Sequence, residues 1–195
     1  MDIILASGNK HKKEEFSHMF PRHRIILPAD IGIEFEIEET GRSFFENALL
    51  KAEYVFAQTD KPVLADDSGL CVDALGGSPG IFTARYGDPF LGPDPSAEDR
   101  YMHLLHNLHG ADDRSARFIC SLVYYSGRDK FFCVQETVEG SISFQPSGRD
   151  GFGYDPVFYV PEYQCTMAEL SPEVKHSISH RGKAAKTMRS CLETL

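Results

Sequence analysis

Residues 2–6 (DIILA) form a short apolar run that breaks at Ser7-Gly8-Asn9, and Phe16, Met19 and Phe20 follow at helical spacing. An apolar run this short, bounded by a turn signal, reads as a buried strand that turns into a helix. The pattern recurs at 62–66 (PVLAD), a second short strand ending in Asp66-Asp67-Ser68-Gly69. Before it lies the clearest helix, about 43–58, with Phe45, Ala48, Leu49, Ala52, Val55 and Phe56 on one apolar stripe. Asn47 and Lys51, four apart, share a different face, and Ser43 with Glu46 three residues on makes a capping box.

Further strands are expected at 24–28 and at 33–38, where apolar and acidic residues alternate. Ser96 with Asp99 opens a helix striped by Tyr101, Leu104, Leu105 and Leu108. Residues 116–126 and 130–139 predict a long antiparallel hairpin. Segment 146–156 (PSGRDGFGYDP) is too rich in Gly and Pro for regular structure and reads as a functional loop. Ser171-Pro172-Glu173 starts a helix, and after His180 another carries Ala184, Ala185, Met188, Cys191, Leu192 and Leu195 at helical spacing. Interleaved strands and helices with a hairpin between them predict an α/β protein with a mixed sheet. No repeat or linker divides the 195 residues, so one domain with two lobes and a cleft between them is expected.

Charge narrows the partners. Against 29 Asp+Glu stand 20 Lys+Arg, a net charge of -9, which argues against nucleic-acid binding by bulk electrostatics. A local cluster of lysines can still reverse the field in one cleft and take a phosphate. Five scattered cysteines without a C-x-x-C pair read as reduced thiols in a cytoplasmic protein. The first apolar run is too short for a signal peptide, and no stretch is long enough for a membrane span.

The chemistry-bearing segments lie at strand ends and loops. In Ser7-Gly8-Asn9-Lys10-His11-Lys12, backbone N–H groups at a helix start can approach a phosphate while Lys10 and Lys12 add charge, although the spacing is not that of a Walker A loop. Glu38-Glu39-Thr40-Gly41 and Asp66-Asp67-Ser68-Gly69 could converge to hold a hard cation, or could be solvated turn carboxylates. Asp67 could act as general base on a water. In Gly151-Phe152-Gly153-Tyr154-Asp155-Pro156, an aromatic face can stack on a nucleobase and the carboxylate can accept a base N–H, or the aromatics can be buried in a tight turn. His180 and Arg181 could donate to a base carbonyl and Lys175 could reach a phosphate, though a basic helix start is also a common solvated surface. His103, His106 and His109 are discounted as a metal stripe, because the third has rotated away from the first.

Taken in order, SGNKHK, EETGRSFFENALLKA, LADDSGLCVDALGGSPGIFTARY, GFGYDP, TMAEL and KHSISHRGKA make the chain resemble the inosine triphosphate pyrophosphatase family, the bacterial non-canonical purine (dITP/XTP) pyrophosphatases. The resemblance runs from Ser7 to Arg181. It implies an elongated α/β fold of two lobes, a central mixed sheet flanked by helices, an active site in the inter-lobe cleft, and a homodimer. It implies that Ser7 to Lys12 bind the triphosphate, that Glu39 and Asp67 hold magnesium, and that Asp67 accepts the proton. Lys51 and Ser68 would line the substrate site; Phe152, Gly153, Tyr154 and Asp155 would hold the base; Lys175, His180 and Arg181 would complete the pocket. Two departures stand out: Thr83 in Thr-Ala-Arg-Tyr where Ser is commoner, and the proline-rich 87–95 stretch. Competing readings are a pyrophosphatase for a modified pyrimidine nucleotide, a nucleotide sensor without turnover, and a phosphate-binding structural protein.

Overall fold

The computed structural model describes residues 2–193. Leu195, the last member of the expected C-terminal stripe, lies outside the described residues. One seven-stranded sheet carries the order β2-β1-β3-β4-β5-β6-β7, with β1 at Asp2–Leu5, β2 at Arg24–Ile26, β3 at Val63–Val72, β4 at Ser115–Gly127, β5 at Lys130–Ile142, β6 at Phe158–Val160 and β7 at Cys165–Thr166. β1 pairs parallel to both β2 and β3, whereas β5–β6 and β6–β7 are antiparallel, so the sheet is mixed, as expected. β4 and β5 are neighbours joined by Arg128-Asp129 alone, with Asp129 at φ 58 in the left-handed region. A link that short joins only antiparallel strands.

The helices are α1 (Lys10–Met19), α2 (Phe44–Thr59), α3 (Asp88–Leu91), α4 (Ala97–Asn107), α5 (Pro172–Ile178) and α6 (His180–Leu192). The helix expected to open at Ser96 does so with a capping box: Ser96 Oγ accepts from Asp99 N and the Asp99 carboxylate accepts from Ser96 N. At α2 the cap differs in detail. Ser43 Oγ accepts from Glu46 N, but the Glu46 carboxylate takes the N–H of Arg42 at 2.6 Å.

By contacts the chain divides into two compact units. The first comprises Met1–Ser68, Cys120–Glu136 and Ser179–Leu195, the second Gly69–Ile119 and Thr137–Ile178. In the first, strand alternation sorts the core. Ile3, Leu5 and Leu64 pack with Phe16 and Met19 of α1 and Ala185 and Met188 of α6. Ile4, Ala6, Val63 and Ala65 face the other way, onto Ala48, Ala52 and Val55 of α2. In the second, Leu104 and Leu108 at the end of α4 pack with Leu70, Val138, Ile142 and Phe158. Among the described residues no helix is long and apolar enough to cross a membrane.

Two expectations change. Residues 33–38 keep the alternation of half-buried and exposed residues but form no strand of the sheet. Phe35 finds cover on α2 instead, lying edge-on to Tyr54 with ring centroids 6.1 Å apart. β3 does not end at Asp66; it continues to Val72. Asp66 and Asp67 are therefore strand residues, and their burial depends on cations from the flanking helices.

Candidate active site

The register of β1 against β3, Ile4 on Val63 and Leu5 on Leu64, brings the end of β1 beside the run into Asp66. Ala6 N donates to Leu64 O at 2.8 Å, which holds the two strands together up to the point where Ser7 leaves the sheet. Ser7 is buried and its Oγ accepts from Asn9 N. Asn9 caps α1, its Oδ1 taking the N–H groups of His11 (2.9 Å) and Lys12 (3.3 Å). Gly8, Asn9, Lys10 and His11 are exposed, while the Lys12 side chain turns inward. The chain here leaves a strand, places two exposed backbone units at a helix N-terminus and sends one lysine into the protein.

Period two decides the partners of the carboxylates. Asp66 follows Leu64 onto the α1/α6 face, and Asp67 follows Ala65 onto the α2 face. Asp66, 1 % exposed, lies 2.9 Å from Lys12 Nζ and 3.3 Å from Arg181 Nε, and accepts from Ser68 Oγ at 2.7 Å. Arg181 also reaches Glu15 through Nη1 (3.3 Å) and Ser68 Oγ through Nη2 (3.1 Å). Burial alone would raise the Asp66 pKa, but Lys12 and Arg181 outweigh it and hold the group far below the ordinary carboxylate range. Burial pushes Lys12 the other way, lowering it, with Asp66 opposing.

On the other face, Lys51 Nζ stands 2.8 Å from Asp67 Oδ1 and 3.0 Å from Glu39 Oε1. Asn47 donates to Asp67 Oδ2 at 3.4 Å, and its Oδ1 accepts from Gly41 N at 2.8 Å, which ties the Glu38–Gly41 segment to α2. A Cβ on Gly41 would lie 2.9 Å from Asn47 N, so the approach requires glycine. Burial raises the Asp67 pKa, and Lys51 only partly offsets it. Lys51 itself is raised: burial opposes its charge, but Asp67, Asp66 and Glu39 prevail. Asn47 and Lys51, expected on a face apart from the apolar stripe, are buried beside it: the buried side of α2 includes Asn47, Ala48, Lys51, Ala52 and Val55, polar where it meets these carboxylates.

In the second unit, Gly151 (φ 82) and Gly153 (φ 63) turn the loop so that Phe152 N donates to Asp155 Oδ2 at 2.8 Å. Lys175 Nζ reaches the same oxygen at 2.7 Å and sits 4.7 Å from the Phe152 ring centroid. Tyr154 is buried, its hydroxyl donating to Thr83 O at 3.1 Å, and burial pushes its pKa up.

The expected site residues therefore fall into two groups. In the first unit, Lys12, Ser68 and Arg181 gather on Asp66, and Glu39, Lys51 and Asp67 on the other face of β3; Ser7 is buried at the end of β1 with its hydroxyl on Asn9 N, and His180 is buried next to Arg181 in the first turn of α6. Phe152, Tyr154, Asp155 and Lys175 gather in the second. Lys175 has a carboxylate partner and Arg181 is bound into the Asp66 cluster, contacts that the residue types alone did not predict. Two residues of the network, Asn47 and Glu15, were not expected as site residues, and Asp66, singled out with Asp67 as a candidate for holding a cation, is instead paired with Lys12 and Arg181. Strand alternation applied to 63–67 pointed to Asp66, the shared face with Lys51 pointed to Asn47, and Glu15 lies one turn from Lys12 on α1. His103 belongs to neither group; its ring packs on Tyr86 and Phe90. Glu39 Oε1 and Asp67 Oδ1 both face the Lys51 ammonium, and among the described residues no group of three or more His, Cys, Asp or Glu is placed to hold a metal ion; the pair offers two hard oxygen donors, the number that suits a cation shared with substrate oxygens.

Known proteins resemble this chain over nearly its whole length. The Ham1 family model matches residues 3–191. The dITP/XTP pyrophosphatase of Treponema denticola is 54% identical over 184 residues, covering 94% of each chain. That of Bacillus licheniformis is 45% identical with 98% of each chain covered. Among solved structures, a HAM1 protein from Coxiella burnetii superposes with TM-score 0.90 at 38% identity over 100% of both chains. The Staphylococcus aureus Ham1 protein gives 0.88 at 41%, covering 100% of this chain and 99% of its own. With motif order, sheet and full-length identity in agreement, the chain belongs to the Ham1 family.

Proposed function

We propose that this protein hydrolyses non-canonical purine nucleoside triphosphates, dITP, ITP and XTP, to the nucleoside monophosphate and pyrophosphate, and so clears them from the nucleotide pool. The observation that carries the reading is the contact of Asp67 with Lys51 and of Lys51 with Glu39, within a chain whose relatives are dITP/XTP pyrophosphatases. Water attacks the α-phosphorus, the bond from that phosphorus to the bridging oxygen breaks, and pyrophosphate leaves with the electron pair. Asp67 takes the proton from the water. Its burial raises its basicity, and Lys51 keeps its carboxylate in place.

Positive charge does the rest, because phosphoryl transfer is stabilised mainly by positioning and electrostatics. Ser7 to Lys12 take the triphosphate through backbone N–H groups and lysine, with Lys51 and Ser68 beside them. Glu39 and Asp67 are the residues that would hold magnesium, which neutralises charge on the departing pyrophosphate. For the base, Phe152 to Asp155 with Lys175, His180 and Arg181 are the readers. Hypoxanthine and xanthine present N1–H and a C6 carbonyl, so an acceptor such as Asp155 and a donor from His180 or Arg181 match them. Adenine would leave both unpaired. Both donors to Asp155 fall on Oδ2, so Oδ1 is not used by that pair. The working form is a homodimer in the cytoplasm.

Product analysis with ITP, XTP, ATP and GTP in magnesium tests this. Pyrophosphate with IMP or XMP, and little from ATP, is the expected result. Orthophosphate with the diphosphate would place the attack at the γ-phosphorus and overturn the mechanism; no turnover would favour a sensor.

A further inference from the structure

Asp66 has no part in the reaction just described, yet it is the most enclosed carboxylate of the network. It is covered on the α1/α6 face by Lys12 and Arg181, and Ser68 Oγ donates to the same oxygen that faces Arg181 Nε. Coulomb's law makes it an odd neighbour for a polyanion: a buried negative charge beside an incoming triphosphate repels it. The preceding strand positions Val63, Leu64 and Ala65 are apolar and need no partner. A charge placed next to them costs desolvation, which its cations must offset.

We infer that Asp66 is a positioning residue for the triphosphate, holding the Lys12 ammonium in place before nucleotide arrives. The inference rests on the reading of Ser7 to Lys12 as the triphosphate loop. A lysine is rich in rotamers, and fixing it beforehand removes that ordering cost from the binding step.

Repulsion and positioning predict opposite signs. Inorganic tripolyphosphate binding, followed by calorimetry, reads this without turnover or a base. In Asp66→Asn the dissociation constant should rise about tenfold or more, as for loss of a charge-assisted contact. Lys12→Met should weaken binding as well. The double variant should bind no more weakly than Lys12→Met alone, because Asp66 acts through Lys12. Tighter or unchanged binding in Asp66→Asn, or additive losses in the double variant, would overturn the inference. If Asp66→Asn does not fold, as a thermal melt will tell, the double variant compared with Lys12→Met decides, since both charges then leave together. A wild-type protein that fails to bind tripolyphosphate sinks the loop reading itself. Wild-type binding with an indifferent Asp66→Asn sinks only the positioning role.

Discussion

Asp66 and Asp67 are consecutive in the chain and face opposite sides of β3: Asp66 meets Lys12 of α1 and Arg181 of α6, while Asp67 meets Lys51 and Asn47 of α2. Their environments differ accordingly. Asp66 is held strongly ionised, while Asp67 is the more basic carboxylate. Adjacent groups with separated proton affinities suit separate tasks.

Asp67→Asn should lower the rate of pyrophosphate release by roughly 10²–10⁴, the usual worth of a positioned general base. ITP binding should remain measurable by calorimetry. Near-normal turnover would remove Asp67 from its role.

Stripping divalent metal with a chelator should stop pyrophosphate release, and added magnesium should restore it. The thermal melt should change little, since the Lys51 ammonium itself bridges Asp67 and Glu39. Undiminished rates in chelator would sink the magnesium assignment.

Acid should destabilise the fold through Asp66. Its folded pKa lies below the unfolded value of 3.8, so its stabilisation is complete above that pH and is lost as pH falls further. Melting temperatures taken between neutrality and strong acid should decline most steeply below that value. A profile flat into strong acid would contradict the ion-paired state.

Arg181→Ala should cost about 3–5 kcal/mol of stability, because it strips a partner from buried Asp66 and from Glu15 together. Denaturant titration measures it. An unchanged midpoint would show that the guanidinium contributes nothing to the cluster.

Gly151→Ala should push Asp155 away from Lys175. The residue sits at φ 82, and a Cβ there would collide with the Asp155 carboxylate and lie 3.1 Å from Lys175 Nζ. A lower melting point together with a reduced preference for ITP over ATP is expected. If the preference is unchanged, Asp155 does not read the base.

Much of this protein was legible in its residues alone, because those features rest on short-range physics. The apolar stripe of α2, the Ser96–Asp99 cap and the strand–turn–helix at Ser7 to Lys12 follow from periodicity and capping within a few residues. The motif blocks carried the family, since their order runs through the whole chain. Tertiary structure decided what depends on partners distant in sequence. Residues 33–38 alternate like a strand, yet they join no strand of the sheet and Phe35 settles on α2. Asp66 and Asp67 looked like a turn, yet they extend β3, because cations from positions 12, 51 and 181 make burial of those charges tolerable. A sequence states which carboxylates exist; only the folded neighbours determine which are desolvated and paired, and so which remains basic enough to take a proton.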